Sequence, residues 1–152
     1  MDTFFIFAAR YFIILPAVIL GIYFLTRKWP AQKQMVLFAI PAGLLACAFG
    51  LLGGHFFFDP RPFVVGHFMP LISHAPDNGF PSDHTLLASA FAAVGMFWNK
   101  WLGLALWLIA IVIAVARVYV GVHHPLDVVA SMVFAIIATF VWYGVLKYAQ
   151  RV

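Results

Sequence analysis

Residues Trp101–Gly121 read WLGLALWLIAIVIAVARVYVG, an apolar run with a single charged side chain, Arg117. A helix needs about 20 consecutive, predominantly apolar residues to cross the hydrocarbon core of a bilayer. The run therefore predicts a membrane-spanning helix, and this prediction decides the class of protein to which the chain belongs.

The composition of the whole chain indicates the same environment. Of its 152 residues, 65% are hydrophobic and only 9% are Asp, Glu, Lys or Arg. Soluble domains have roughly 45–50% apolar and about 25% charged residues. These values, with a mean hydropathy of +1.02, exclude a soluble globular domain and a disordered chain. We expect an all-α integral membrane protein in which residues 1–152 form one domain.

Four further apolar segments accompany this run, so the sequence predicts a bundle of about five transmembrane helices. The predicted spans are Phe4–Thr26, Met35–Phe58, His84–Trp98, Trp101–Gly121 and Leu126–Tyr148. Between the second and third spans, Asp59–Asp83 contains too many prolines for a continuous helix. We expect a long ordered loop there, with at most one short helical turn.

The distribution of basic residues predicts the orientation in the membrane. With five spans, six of the nine basic residues fall on the same side: Arg27, Lys28, Lys33, Lys100, Lys147 and Arg151. The positive-inside rule makes that side the cytoplasm. The amino terminus and the long loop are then extracytoplasmic, and the carboxyl terminus is cytoplasmic.

The titratable residues gather on the opposite face. All six histidines lie between His55 and His124, and four of the five aspartates lie between Asp59 and Asp127. Two separate segments, Asp59–Asp83 and Arg117–Asp127, bring them to the outer side of the predicted bundle. Such convergence of ionisable side chains is typical of an active site.

The residue types in these segments suit phosphoryl transfer. The guanidinium groups of Arg61 and Arg117 match the geometry of phosphate oxygens. Pro81 and Ser82 precede an apolar run, and the start of a helix there would favour an anion. We therefore expect Pro81, Ser82 and the adjacent Asp83 to contribute to substrate binding.

Two histidines complete the candidate chemistry. His84 lies in the first turn of the third span, where it could act as a general acid. His123 and Asp127 are four residues apart, so on a helix they would share a face. The carboxylate could then orient the imidazole and stabilise its cation, which favours a covalent phospho-histidine intermediate.

Three clusters carry a resemblance to a known family: Arg61-Pro62, Pro81-Ser82-Asp83-His84, and Arg117 followed by His123 and Asp127. Their order and spacing resemble the signature of the type 2 phosphatidic acid phosphatase superfamily. That signature is Lys, six residues, Arg-Pro; then Pro-Ser-Gly-His; then Ser-Arg, five residues, His, three residues, Asp. The neighbouring sequences, with His74-Ala-Pro-Asp77 upstream, are similar to its undecaprenyl-diphosphatase branch, which is linked to bacitracin resistance.

The resemblance implies hydrolysis of a polyprenyl diphosphate at the outer face of a bacterial cytoplasmic membrane, without a metal or other cofactor. It implies that His123 is the nucleophile, that Asp127 is its partner and that His84 protonates the leaving group. It implies that Arg61, Ser82 and Arg117 bind phosphate. The expected partners are the lipid substrate and the surrounding membrane lipids, with no nucleic acid.

The chain departs from the signature at three positions. Gly54 stands where the family has Lys, Asp83 replaces the Gly after the Ser, and Ala116 replaces the Ser before the second Arg. The first two changes reduce the positive charge near a bound phosphate. Arg10, in the outer half of the first predicted span, could snorkel to the headgroups or face the site in place of the Lys.

Other interpretations of these residues stay open at this stage. Asp127 could only cap the helix that Pro125 begins, and the two arginines could be interfacial anchors. The enzymatic alternative is a phosphatase acting on phosphatidic acid or phosphatidylglycerol phosphate. The non-enzymatic alternative is a lipid-binding or transport protein with a degenerate site. The sequence leaves the oligomeric state unknown.

Overall fold

The computed structural model describes residues 1–149. Every secondary-structure element assigned in that range is a helix. Arg151, one of the residues used to predict the orientation, lies outside the described range. The helices are α1 (Asp2–Tyr11), α2 (Ile14–Leu25), α3 (Trp29–Phe56), α4 (Pro62–Val65), α5 (Asp83–Trp98), α6 (Lys100–Tyr119) and α7 (Pro125–Ala149). The all-α class is confirmed.

Three of these helices, α3, α6 and α7, are long and apolar enough to cross a membrane. The chain is therefore a multi-pass membrane protein. The bent pair α1 and α2 brings the number to four if it counts as one span. Helix α5 has 16 residues, fewer than the ~20 that a straight span requires. The count of five transmembrane helices stays a prediction.

The first predicted span, Phe4–Thr26, is two helices that meet at an angle of 51°. Pro16 lies in the first turn of α2 and is buried. Proline has no N–H to donate to the carbonyl four residues earlier, and its ring clashes with that carbonyl. The carbonyl of Phe12 accepts instead from the amide of Leu15, at 3.0 Å. The break therefore follows from Pro16.

A second proline, Pro41, lies inside α3, and the helix continues through it. Because Pro41 cannot donate to the carbonyl of Leu37, that oxygen is free for another donor. The indole Nε1 of Trp142 on α7 donates to it at 3.2 Å. The carbonyl that Pro41 leaves free within α3 therefore accepts a hydrogen bond that joins α3 to α7.

Helix α5 lies at the centre of the bundle and contacts α2, α3, α6 and α7. Small side chains on it are buried, among them Ala88, Ala92 and Gly95. Small residues let helix backbones approach closely in membrane proteins. Asn99 begins the next helix, since its Oδ1 accepts from the amides of Trp101 and Leu102 at 2.9 and 3.1 Å. The α5–α6 hairpin is therefore tight.

The segment between α3 and α5 is irregular apart from the single turn α4, and it is tied down at several points. The side chain of Asn78 accepts from the amides of Asp59 and Phe80, and it donates to the carbonyls of Gly54 and Phe57. Further along, Ile72 is buried with side chains of α1 and α6. This segment covers one end of the bundle.

Candidate active site

A cavity of about 700 Å³ opens at the end of the bundle that this segment covers. Its polar lining comes from three parts of the chain: the irregular segment, the start of α5, and the end of α6 with the turn that follows it. The polar side chains in its wall are Arg61, His74, Asp77, Asn78, Asp83, His84, Arg117 and His123. Pro81 also lines it.

The imidazole of His123 has a different kind of partner on each of its two nitrogens. Nδ1 lies 2.9 Å from the carbonyl oxygen of Gly79 and 3.3 Å from Oδ2 of Asp127. Nε2 lies 3.2 Å from Nη2 of Arg117 and 3.5 Å from Nη1 of Arg61. Because guanidinium groups only donate and the other two groups only accept, the neutral ring carries its proton on Nδ1. Its Nε2 lone pair points toward the two cations.

The turn that presents His123 depends on Gly121. Its φ is +82°, a left-handed conformation that favours glycine. A Cβ there would lie 2.7 Å from the ring of Phe68. Gly121 therefore lets the chain leave α6 sharply and return His123 to the cavity wall.

Asp127 is fully buried in the first turn of α7 and has two partners. Its Oδ2 accepts from the backbone amide of His124 at 2.8 Å and faces Nδ1 of His123. The first contact is a helix cap and the second orients the imidazole, so the two interpretations made from the sequence are compatible. His123 lies in the turn before α7 and not on the helix itself. Its contact with Asp127 therefore joins that turn to the first turn of α7.

Arg61 is held by three groups and is only 5% exposed. Its Nε donates to Oδ1 of Asp77 at 2.6 Å, its Nη1 to the carbonyl of Val122 at 2.8 Å, and its Nη2 to the carbonyl of Asn78 at 3.3 Å. Multiple fixed contacts leave the guanidinium little rotamer freedom. Arg61 therefore presents its charge at a defined place in the cavity wall.

Arg117 is also buried, but fewer of its N–H donors have a hydrogen-bond partner than those of Arg61. Its Nη1 is 3.5 Å from the carbonyl of Ala9 on α1. Its Nε has no hydrogen-bond partner among residues 1–149. Buried donors in proteins are normally satisfied, so Arg117 retains capacity for an anion in the cavity. Both arginines converge with His123, and neither side chain points to the bilayer surface as a simple anchor would.

The protonation of these groups follows from their surroundings. Burial lowers the pKa of His123, and the charges of Arg117 and Arg61 act in the same direction, while Asp127 opposes them. Burial and the charge of Arg61 also lower the pKa of His74. The hydrogen bond from Arg61 holds the pKa of Asp77 below its usual range. At neutral pH, Asp77 is therefore ionised beside Arg61, and the imidazoles of His74 and His123 are neutral.

The residues at the start of α5 are placed differently from one another. His84 and Asp83 line the cavity. Ser82 is fully buried, and its hydroxyl oxygen lies 3.2 Å from the hydroxyl of Thr85. Ser82 is not among the described residues that line the cavity, so its role as a phosphate ligand stays a prediction. The Ser131 hydroxyl lies 2.9 Å from the carbonyl oxygen of Ser82, which joins this helix start to α7.

The sequence patterns predicted no role for two residues of the site, Asn78 and Gly79. Asn78 organises the irregular segment, and Gly79 supplies the carbonyl that faces His123. A Cβ on Gly79 would lie 3.1 Å from Oδ2 of Asp127 and 3.2 Å from the carbonyl of Asp59. Asn-Gly is a strong turn dipeptide, which signals a tight turn. It gives no sign that the turn abuts the histidine.

Gly54, at the position of the signature Lys, lies against the backbone. A Cβ there would be 3.0 Å from the carbonyl oxygen of Phe80, and Asn78 donates to the Gly54 carbonyl at 3.0 Å. A larger side chain at this position would push the loop away from α3. Arg10, considered from the sequence as a substitute for the Lys, is exposed and is absent from the described cavity wall.

Candidate metal ligands do not cluster within residues 1–149. No group of three or more His, Cys, Asp or Glu side chains there could hold an ion. Two acidic side chains, Asp59 and Asp127, lie beside each other and next to His124 and His123. Burial and the nearby Asp127 charge raise the pKa of Asp59.

Sequence comparison relates the chain to named proteins. Residues 35–151 match the PAP2 superfamily. The undecaprenyl-diphosphatase BcrC of Bacillus subtilis is 35% identical over 143 residues, which are 94% of this chain and 74% of that protein. The putative undecaprenyl-diphosphatase YbjG of Escherichia coli is 37% identical over 83% of this chain, and the match spans 64% of that protein.

Structural comparison agrees. The crystal structure of LpxE from Aquifex aeolicus matches with a TM-score of 0.74 and 26% identity, over 94% of this chain and 85% of that one. The PAP2 type phosphatidylglycerolphosphate phosphatase of Bacillus subtilis matches with a TM-score of 0.66 over 97% and 77%. At 21% identity, this second likeness concerns the fold alone.

Proposed function

Because the chain belongs to the PAP2 superfamily of membrane phosphatases, we propose that it hydrolyses undecaprenyl diphosphate, or a similar polyprenyl diphosphate, to the monophosphate. One observation carries this proposal: the lone pair of His123 Nε2 faces two buried guanidinium groups in the wall of a cavity. A nucleophile between two cations is suited to attack phosphorus, because the cations neutralise the phosphate oxygens.

In the proposed reaction, Nε2 of His123 forms a bond to the terminal phosphorus. The bond from that phosphorus to the bridging oxygen breaks, and its electron pair stays on that oxygen. The bound diphosphate places negative charge beside His84 and favours its protonated form. His84 then donates a proton to the oxygen, so the prenyl monophosphate leaves. Arg61 and Arg117 stabilise the charge on the oxygens of the transferring group. The Nδ1 proton stays on the ring, held by Asp127 and the Gly79 carbonyl.

The second half of the reaction regenerates the enzyme. Water attacks the phosphorus of the phospho-histidine while His84, now neutral, accepts its proton. The P–N bond breaks, its electron pair returns to Nε2, and inorganic phosphate leaves. The role of Asp127 in both halves is to stabilise the positive charge that the ring carries while phosphorylated.

The choice of a polyprenyl diphosphate rests on the names of two relatives that align with most of this chain. The proposed location is the outer face of a bacterial cytoplasmic membrane. The cavity lies at the end of the bundle opposite the side that carries Lys28, Lys33 and Lys100, which the positive-inside rule assigns to the cytoplasm.

The direct test is phosphate release by purified protein in detergent, with a chelator present. Undecaprenyl diphosphate, phosphatidic acid and phosphatidylglycerol phosphate would be compared at equal concentrations. We expect the highest kcat/KM for the diphosphate and background rates for His123→Ala. A higher kcat/KM for either phosphomonoester would instead assign the protein as a phosphomonoesterase. Release from none of the three by folded protein would favour a lipid-binding role.

A further inference from the structure

An apolar groove leads away from the phosphate cavity and continues along the bundle. A second cavity, of about 110 Å³, shares Cys47 and Leu87 with the first one. A third, of about 220 Å³, shares Leu20, Ala39, Phe91 and Val94 with the second. The three cavities follow one another in space because each pair has walls in common. We call the second and third cavities together the tail groove.

Small residues on one face of α3 form one wall of the tail groove and of its junction with the phosphate cavity. They are Ala39, Gly43, Cys47, Gly50 and Gly54, each three or four residues from the next. Positions with this spacing lie above one another on a helix. The facing wall is apolar and comes from α5, with Leu87, Phe91 and Val94, while α2 lines the far end.

Two glycines border open space in this groove. A Cβ added to Gly43 on α3, or to Gly21 on α2, would meet no heavy atom within 4 Å. Gly43 lines the second cavity and Gly21 lines the third. Most positions that face neighbouring helices would place a Cβ against other atoms. Here the backbone leaves room that protein atoms do not fill.

The length of this wall matches the thickness of a bilayer. From Gly54 to Val36, at the far end of the third cavity, α3 rises about 27 Å at 1.5 Å per residue. The hydrocarbon core of a bilayer is about 30 Å thick. A chain that begins at the phosphate cavity could therefore follow α3 across nearly the whole membrane.

We propose that the tail groove binds the hydrocarbon chain of a single-chain lipid diphosphate, with the diphosphate in the cavity that contains His123. This inference rests on the proposed function and adds a chain-binding subsite to it. The narrow middle section, far smaller than the 300–1,000 Å³ of ordinary ligand pockets, admits one chain more readily than two. Lipid tails are as apolar as the groove, so selection occurs by shape and length.

The test fills the groove at two depths and compares substrates of two lengths. The variants are Gly43→Leu in the middle and Gly21→Leu at the far end. The matched control is Gly144→Leu on α7, where a Cβ also meets nothing within 4 Å and which lines neither cavity of the groove. The substrates are farnesyl diphosphate, whose shorter chain we expect to end before Gly21, and undecaprenyl diphosphate.

We expect Gly43→Leu to lower kcat/KM for undecaprenyl diphosphate about tenfold, equivalent to about 1.4 kcal/mol. Gly21→Leu should lower kcat/KM for this long substrate only, and Gly144→Leu should leave kcat/KM for both unchanged. Thermal unfolding in detergent checks that each variant is folded. If Gly43→Leu does not fold, Gly43→Ala replaces it, with an expected loss of about twofold, equivalent to about 0.4 kcal/mol.

Two results would overturn the inference, and they differ. If wild type hydrolyses undecaprenyl diphosphate and both groove variants retain its kcat/KM, the groove holds bulk lipid, while the proposed function stands. If wild type releases phosphate from neither polyprenyl diphosphate, the proposed function itself fails, and the groove has no substrate tail to bind.

Discussion

Nε2 of His123 lies 3.2 Å from Nη2 of Arg117, and both side chains are buried. A guanidinium cannot accept a hydrogen bond, so this contact requires the Nε2 lone pair. The opposite nitrogen, Nδ1, faces two acceptors and holds the ring proton. In the proposed mechanism, the same lone pair forms the bond to phosphorus when an anion enters between the two side chains.

The first prediction concerns Asp127. Replacing it with Asn retains an oxygen that can accept from the amide of His124, but it removes the negative charge beside Nδ1 of His123. We expect kcat for undecaprenyl diphosphate to fall about 100-fold or more, because the phosphorylated imidazole loses its stabilising partner. The unfolding temperature should change little. A kcat within threefold of wild type would show that the charge of Asp127 has no part in the reaction.

The second prediction concerns pH. Nucleophilic attack needs neutral His123, and burial lowers its pKa below the ordinary value of 6.5. The acid limb of kcat/KM, which reports the free enzyme, should therefore have its midpoint below pH 6.5. Asp127 opposes this shift, so Asp127→Asn should move the midpoint to still lower pH. Initial rates between pH 4.5 and about pH 8 test both statements, and a midpoint above 6.5 in wild type would contradict the first.

The third prediction concerns the position of the missing lysine. Gly54→Lys should not improve catalysis, because its Cβ would lie 3.0 Å from the carbonyl of Phe80. We expect a destabilisation of about 1–3 kcal/mol, typical of overpacking, and a lower kcat/KM. Gly144→Ala on α7 is the control, since its added Cβ meets nothing within 4 Å and it lines neither the cavity nor the groove. Higher activity in Gly54→Lys at unchanged stability would mean that α3 and the loop separate readily.

Much of the fold could be predicted from hydrophobic length alone. The predicted spans Met35–Phe58, Trp101–Gly121 and Leu126–Tyr148 correspond to α3, α6 and α7. Their ends differ by one or two residues, except that α3 begins six residues earlier than predicted. The bend within the first span was missed. Its cause, Pro16, is visible in the sequence, but prolines in membrane helices have two outcomes. Pro16 breaks a helix, whereas α3 continues through Pro41.

The site was predicted in part. Fixed spacing placed His123 near Asp127, because the contact between them is local. The convergence of Arg61 with Arg117 was expected from the side of the membrane on which each lies. The Gly79 carbonyl and the Asp77 partner of Arg61 could not be placed, since both depend on the path of an irregular segment. That path is set by tertiary hydrogen bonds, and these have no periodic signal in the sequence.

The fourth prediction concerns orientation. In a Cys47→Ser background, Met69→Cys, in the exposed part of the irregular segment, should react with a membrane-impermeant thiol reagent in intact cells. Lys33→Cys, which is also exposed, should react only after the membrane is permeabilised. Both substitutions are at the surface, so folding should be unaffected. Labelling of Lys33→Cys alone in intact cells would reverse the orientation and place the cavity in the cytoplasm.

The most direct measurement is a search for the covalent intermediate. Protein mixed with undecaprenyl diphosphate labelled in its terminal phosphate would be quenched in alkali within one turnover, because phospho-histidine survives base and is lost in acid. We expect label on His123 of wild type, found by mass spectrometry of its peptides, and no label in His123→Ala. Label on any other residue, or hydrolysis with no labelled protein at any quench time, would contradict nucleophilic attack by His123.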